Sequence, residues 1–90
     1  MLQLKKRGGF QTLLPKRFGH ECFRVVIGKK RFRANRVEYV FSTVAAAYMI
    51  IFHVIAAEGK EHTVSVDVPL ETGDTLIKGL KKNGHIELNI

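Results

Sequence analysis

From His62 to Val68 the chain alternates, with His62, Val64, Val66 and Val68 on one face of an extended strand and Thr63, Ser65 and Asp67 on the other. That period of two is expected where one face packs and the other meets water. The preceding residues, 50–57, are apolar at both parities and predict a central strand covered on both sides. Glu58-Gly59-Lys60 joins the two runs, with a glycine able to take the positive φ of a tight hairpin connection. Pro69 ends the second strand, because it has no N–H to give to a ladder.

After Pro69 the period changes. Thr72 and Asp74 are good N-cap residues, Leu76, Ile77 and Leu80 form one apolar stripe, and Asn83-Gly84 supplies a left-handed stop. Lys81 and Lys82 fall in the last turn, where positive charge favours the helix dipole. A second hairpin across Asn83-Gly84 is the alternative. Its pairing puts Lys81 and Gly79 on the same face as Ile86, Leu88 and Ile90, so the pattern favours a helix followed by a further strand.

Residues 36–48 carry a helical spacing: Val37, Val40, Phe41, Val44, Ala45 and Tyr48 recur at three- and four-residue intervals, with Asn35 and Glu38 as an approximate capping box. The pattern predicts an apolar helix packed on the sheet. A competing reading takes residues 39–57, 19 positions without a formal charge, as a membrane span following the basic stretch KKRFRANR in the positive-inside sense. His53, Ser42 and Thr43 weigh against it.

At Ile50, His53 and Ile55, then Glu58-Gly59, then Gly73-Asp74-Thr75-Leu76, then Asn83-Gly84, the chain resembles the N-terminal part of the vertebrate and mitochondrial-type two-iron, two-sulfur ferredoxins. The resemblance covers residues 50–90, 41 of the 90. It implies a β-grasp order of hairpin, helix and strand. The cluster of that family is held by four cysteine thiolates that follow the helix. This chain has one cysteine, Cys22, upstream of the whole match, so no cluster ligand can be carried over. What the resemblance implies is a ferredoxin-like frame without the redox centre.

Charge divides the chain. Residues 1–37 hold 11 Lys and Arg against one acid, Glu21, whereas residues 38–90 hold 4 basic and 7 acidic residues, for a net +7 overall. The expected organisation is a basic N-terminal arm over residues 1–35 and a small α+β domain over residues 36–90. The candidate partner-binding residues are Lys5, Lys6, Arg7, Lys16, Arg17, Lys29, Lys30, Arg31, Arg33 and Arg36, suited to RNA, anionic lipid or an acidic protein surface. In KKRFRANR the interleaved Phe32 adds the prospect of stacking on unpaired bases. Residues 1–20, basic and without acids, also read as a mitochondrial presequence, either an uncleaved signal or an ordered extension. Gly8-Gly9, Pro15 and Gly19 oppose one continuous helix there.

Catalytic patterns are absent. The sequence has no glycine-rich nucleotide loop, no His pair at i, i+4 and no Cys–His spacing suited to zinc, and His20, His53, His62 and His85 are scattered. A single cysteine excludes an intrachain disulfide, and Cys22 in an apolar context reads as an inert thiol. The sequence therefore points to an α+β protein, a partial ferredoxin-like β-grasp preceded by an apolar helix and a basic arm. Its expected role is that of a non-catalytic accessory or interaction subunit, without cofactor or metal. Among larger assemblies, a mitochondrial respiratory complex in the matrix or inner membrane fits the presequence-like arm and the apolar run 39–57. An RNA-binding, ribosome-type subunit and a ferredoxin fragment completed by another chain are the alternatives.

Overall fold

The computed structural model of the chain describes residues 9–55 and 58–89. Along them run β1 (Gln11–Leu13), a short 3-10 helix (Pro15–Phe18), β2 (Phe23–Ile27), β3 (Lys30–Ser42), β4 (Ala47–Ile55), β5 (Glu61–Pro69), α1 (Leu70–Asn83) and β6 (His85–Leu88). The fold is α+β: one mixed six-stranded sheet in the order β5-β4-β3-β2-β6, with β1 paired to β3. β1 and β2 share one edge of β3, opposite Val37 to Tyr39 and Lys30 to Ala34 respectively, while β4 takes the other edge.

The hairpin of β4 and β5 forms in the register set by alternation. Ile50 pairs with Val66, Phe52 with Val64 and Val54 with His62. Gly59, at φ 85, supplies the left-handed residue of the connection. β4 is flanked by β3 and β5, with Ile50, Phe52 and Val54 buried on the side that α1 covers, but the cover expected on both faces is present on one only, and Met49 of the opposite parity is exposed.

The helix begins earlier than Thr72 or Asp74. Pro69 occupies the N-cap position with φ −60, so β5 turns directly into α1. At the far end Gly84 takes φ 68 and its N–H bonds to the Leu80 carbonyl at 3.0 Å, which is the left-handed stop. Leu76, Ile77 and Leu80 are buried against a core that includes Phe23, Val25, Val37, Ile50 and Phe52. Gly73 lets the helix approach β4: a β-carbon there would collide with the Tyr48 ring. The hairpin, helix and strand follow in the expected order. The last strand, however, crosses the sheet to pair in parallel with β2, so that β3 and β2 separate it from the hairpin.

The apolar helix expected over residues 36–48 is not there, and no described helix is long and apolar enough to cross a membrane. Those residues are the end of β3, a turn and the start of β4. A bulge between Ala34 and Arg36 resets the alternation, so that Val37, Tyr39 and Phe41 pair with Phe52, Ile50 and Tyr48 on the core side. The β-branched and aromatic residues that matched a helical stripe suit a strand better. The reversal uses no glycine or proline: Ala46 takes φ 52, and the Ala45 N–H donates to Ser42 Oγ at 3.2 Å. The boundary expected between residues 35 and 36 falls inside β3, and residues 11–35 contribute β1, β2 and the first part of β3 to the sheet.

One polar contact also ties α1 to the sheet. Tyr48 Oη donates to Asp74 Oδ1 at 3.0 Å. Burial, then the hydrogen bond and charge of Asp74, then Tyr39, raise the phenol above its ordinary 10.0. The folded chain thus holds this proton more tightly than the unfolded one, so the contribution is complete below pH 10.0 and is lost as the pH rises through the raised value. In Tyr48→Phe, urea melts across the alkaline range should lose less stability above that pH than the parent does.

Phe52 is 0% exposed at the centre of the core. Phe52→Ala should cost about 3–5 kcal/mol by chemical denaturation, whereas Val44→Ser, at a turn position 96% exposed, should stay within about 0.5 kcal/mol.

Candidate functional site

Because α1 covers one face of the sheet, alternate residues of β2, β3 and β6 point away from it. Phe23, Val25 and Ile27 are buried in β2, which turns Arg24 and Val26 outward. Antiparallel pairing sets Arg24 opposite Arg33 and Val26 opposite Arg31. Parallel pairing sets His85 beside Arg24 and Glu87 beside Val26. Two rows therefore cross the three strands: Arg33, Arg24 and His85 in one, Arg31, Val26 and Glu87 in the next.

These residues line a depression of about 490 Å³. Its one carboxylate, Glu87, lies 3.7 Å from His85 Nε2. Among the described residues Arg24, Arg31 and Arg33 have neither an ion pair nor a side-chain hydrogen bond. Like charges placed directly opposite on neighbouring strands are destabilising, so the Arg24–Arg33 pair works against the fold. A second cavity of about 290 Å³, reaching His20, Cys22 and Asn83, shares Arg24 and Arg33 with the first.

The candidate basic residues separate. Lys5, Lys6 and Arg7 lie outside the described residues. Lys16 and Arg17 sit exposed on the 3-10 helix, and Lys29 and Lys30 at the turn into β3. Arg31 and Arg33 meet in the depression. Phe32, between them, packs edge-on against Phe52 at 5.6 Å and against the core, which holds its ring on the other face. Arg24 and His85 complete the cluster and were missed in the sequence. The signal for Arg24 was a cation alternating with Phe23, Val25 and Ile27; His85 is placed only by the crossing of α1.

Arg36 belongs to a different network on the same face. Its Nη2 donates to His53 Nδ1 at 3.3 Å, and His53 Nε2 meets Glu38 Oε1 at 2.6 Å. Glu61 of β5 stands 3.8 Å from Nδ1. A guanidinium can only donate and an ionised carboxylate can only accept. These partners accordingly assign one ring proton, on Nε2. His53 is 8% exposed, and the network satisfies both of its ring nitrogens. Among the described residues, no group of three or more His, Cys, Asp and Glu could hold a metal ion.

The arrangement can bind anions, since the depression gathers three guanidinium groups without an ion pair among the described residues against a single carboxylate, Glu87. No protein-family model matches the chain, and no curated protein or solved structure is significantly similar to it.

Long-range ¹H–¹⁵N NMR at neutral pH should show His53 with its proton on Nε2 and a bare Nδ1. Glu38→Ala should weaken that preference, and Glu38→Ala with Arg36→Ala should remove it, because Arg36 alone still donates to Nδ1.

Proposed function

We propose that the chain is a non-catalytic interaction module that grips a phosphate-bearing partner on the helix-free face of its sheet, at the depression of Arg24, Arg31 and Arg33. The observation that carries this reading is the Arg24–Arg33 cross-strand pair. A purely structural surface gains nothing from two cations in direct opposition, and Glu87, the carboxylate of the depression, lies 3.7 Å from His85. A partner with several negative charges relieves the repulsion and uses the forked donors of each guanidinium.

The net charge of +7 extends the attraction beyond the recess. Lys29 and Lys30 lie exposed at the turn into β3. Such a module would serve as an accessory subunit of a larger assembly. The role is that of holding a polymer or a phosphorylated surface in place; the residues at the site have no nucleophile and base in contact.

The test separates function from fold. Arg33→Thr removes the like-charge opposition and should leave stability unchanged or raise it by up to about 1 kcal/mol. The same variant should weaken binding to a polyphosphate or nucleic-acid probe and flatten the dependence of affinity on salt. Unchanged affinity with an unchanged salt slope would remove the recess from the binding surface.

A further inference from the structure

We infer that the partner is a single-stranded nucleic acid, threaded along a groove that runs from the arginine depression past Arg24 and Arg33 into the cavity beside His20 and Asn83. This inference rests on the reading of the recess as a phosphate site and adds the form of the polymer. The two cavities adjoin at Arg24 and Arg33, which line both. An extended ligand can therefore occupy both with its charge at the shared pair.

The groove differs at its two ends from its middle. In the middle are cations. At one end Glu87 and His85 stand over β6, and at the other Glu21 and Asn83 lie beside the helix terminus. A uniformly acidic peptide finds carboxylates at both ends and few uses for them. Nucleotides present both kinds of group: phosphates for guanidinium donors, and base amino groups and ring nitrogens for carboxylates and amides. Asn83 is exposed at the last position of α1, and its amide can donate and accept at once.

His20 supplies an independent observation. Its ring lies over Gly84, where a side chain would collide with it, and 6.4 Å from the Phe23 ring. Held there, its buried Nε2 has no hydrogen-bond partner among the described residues. It borders the second cavity. Only if the ring turned toward that cavity would Nε2 reach a nucleotide bound there.

A duplex is the poorer fit. Proteins that read double helices project a helix or a two-stranded ribbon into a groove of the nucleic acid, whereas here Arg24, Arg31 and Arg33 stand exposed on a sheet face with no such element beside them. Unpaired bases are also free to turn their edges toward Glu21, Asn83 and Glu87.

Fluorescence anisotropy decides it, using a labelled RNA single strand of about 12 nucleotides, the matching duplex, and heparin, each titrated with the full chain at several salt concentrations. The single strand should bind about tenfold tighter than the duplex or heparin, and Arg24→Ala should reduce the single-strand salt slope by about 0.7. Asn83→Ala should weaken single-strand binding about tenfold with the slope unchanged, since it removes a base contact and no charge. Circular dichroism melts of each variant check that the fold is retained. If duplex and heparin bind as tightly as the single strand and still require Arg24, the threading is wrong and the phosphate site stands. If none of the three probes binds in an arginine-dependent way, both readings fall.

Discussion

The structure depends on the packing of one helix across one face of one sheet. α1 leaves β5 at one edge and delivers β6 to the other, in parallel with β2. A crossing of that length must stay on one side, and its Leu76, Ile77 and Leu80 stripe can bury only one set of alternating strand residues. Everything of opposite parity is left on the other side. The division of labour between the two faces follows from that single constraint.

On the covered face the residues are apolar and close-packed: Phe23, Val25, Val37, Ile50 and Phe52 make the core with the helix. On the bare face the chain places charge in two different ways. Around His53 the charges are matched, with Glu38 and Arg36 on β3 and Glu61 on β5 satisfying an imidazole that is 8% exposed. Around Arg24 they are unmatched. Two patches of one surface, with β3 in common, thus show a neutralised network and an open cluster. The contrast separates a group that serves the fold from one that costs it stability.

Much of the second half was legible because its signals are local. The alternation from His62 to Val68, the glycine at position 59, the proline at 69 and the left-handed stop at Gly84 each act within a few residues, and the hairpin and helix lie where those signals put them. Residues 36–48 misled because Val37, Val40, Phe41 and Tyr48 fit a period of 3.6 and, once a bulge is inserted near Asn35, also fit a period of two. A bulge leaves no mark in composition. Nor did the turn before β4, which is built on Ala46 at φ 52 with no glycine or proline to announce it.

The sequence by itself determined the local elements from residue 58 onward, the net charge of +7 and the concentration of cations before residue 38. It could not determine which cations would meet. Arg24, Arg33 and His85 are separated by 9 and 52 positions in the chain and share one row of the sheet only because β2 pairs with β3 on one side and with β6 on the other. That pairing is fixed by where the helix lands, and the helix lands where its apolar stripe finds the most surface to bury. Burial of nonpolar area is non-directional and long-range in the chain, so the site it assembles is a property of the tertiary structure alone.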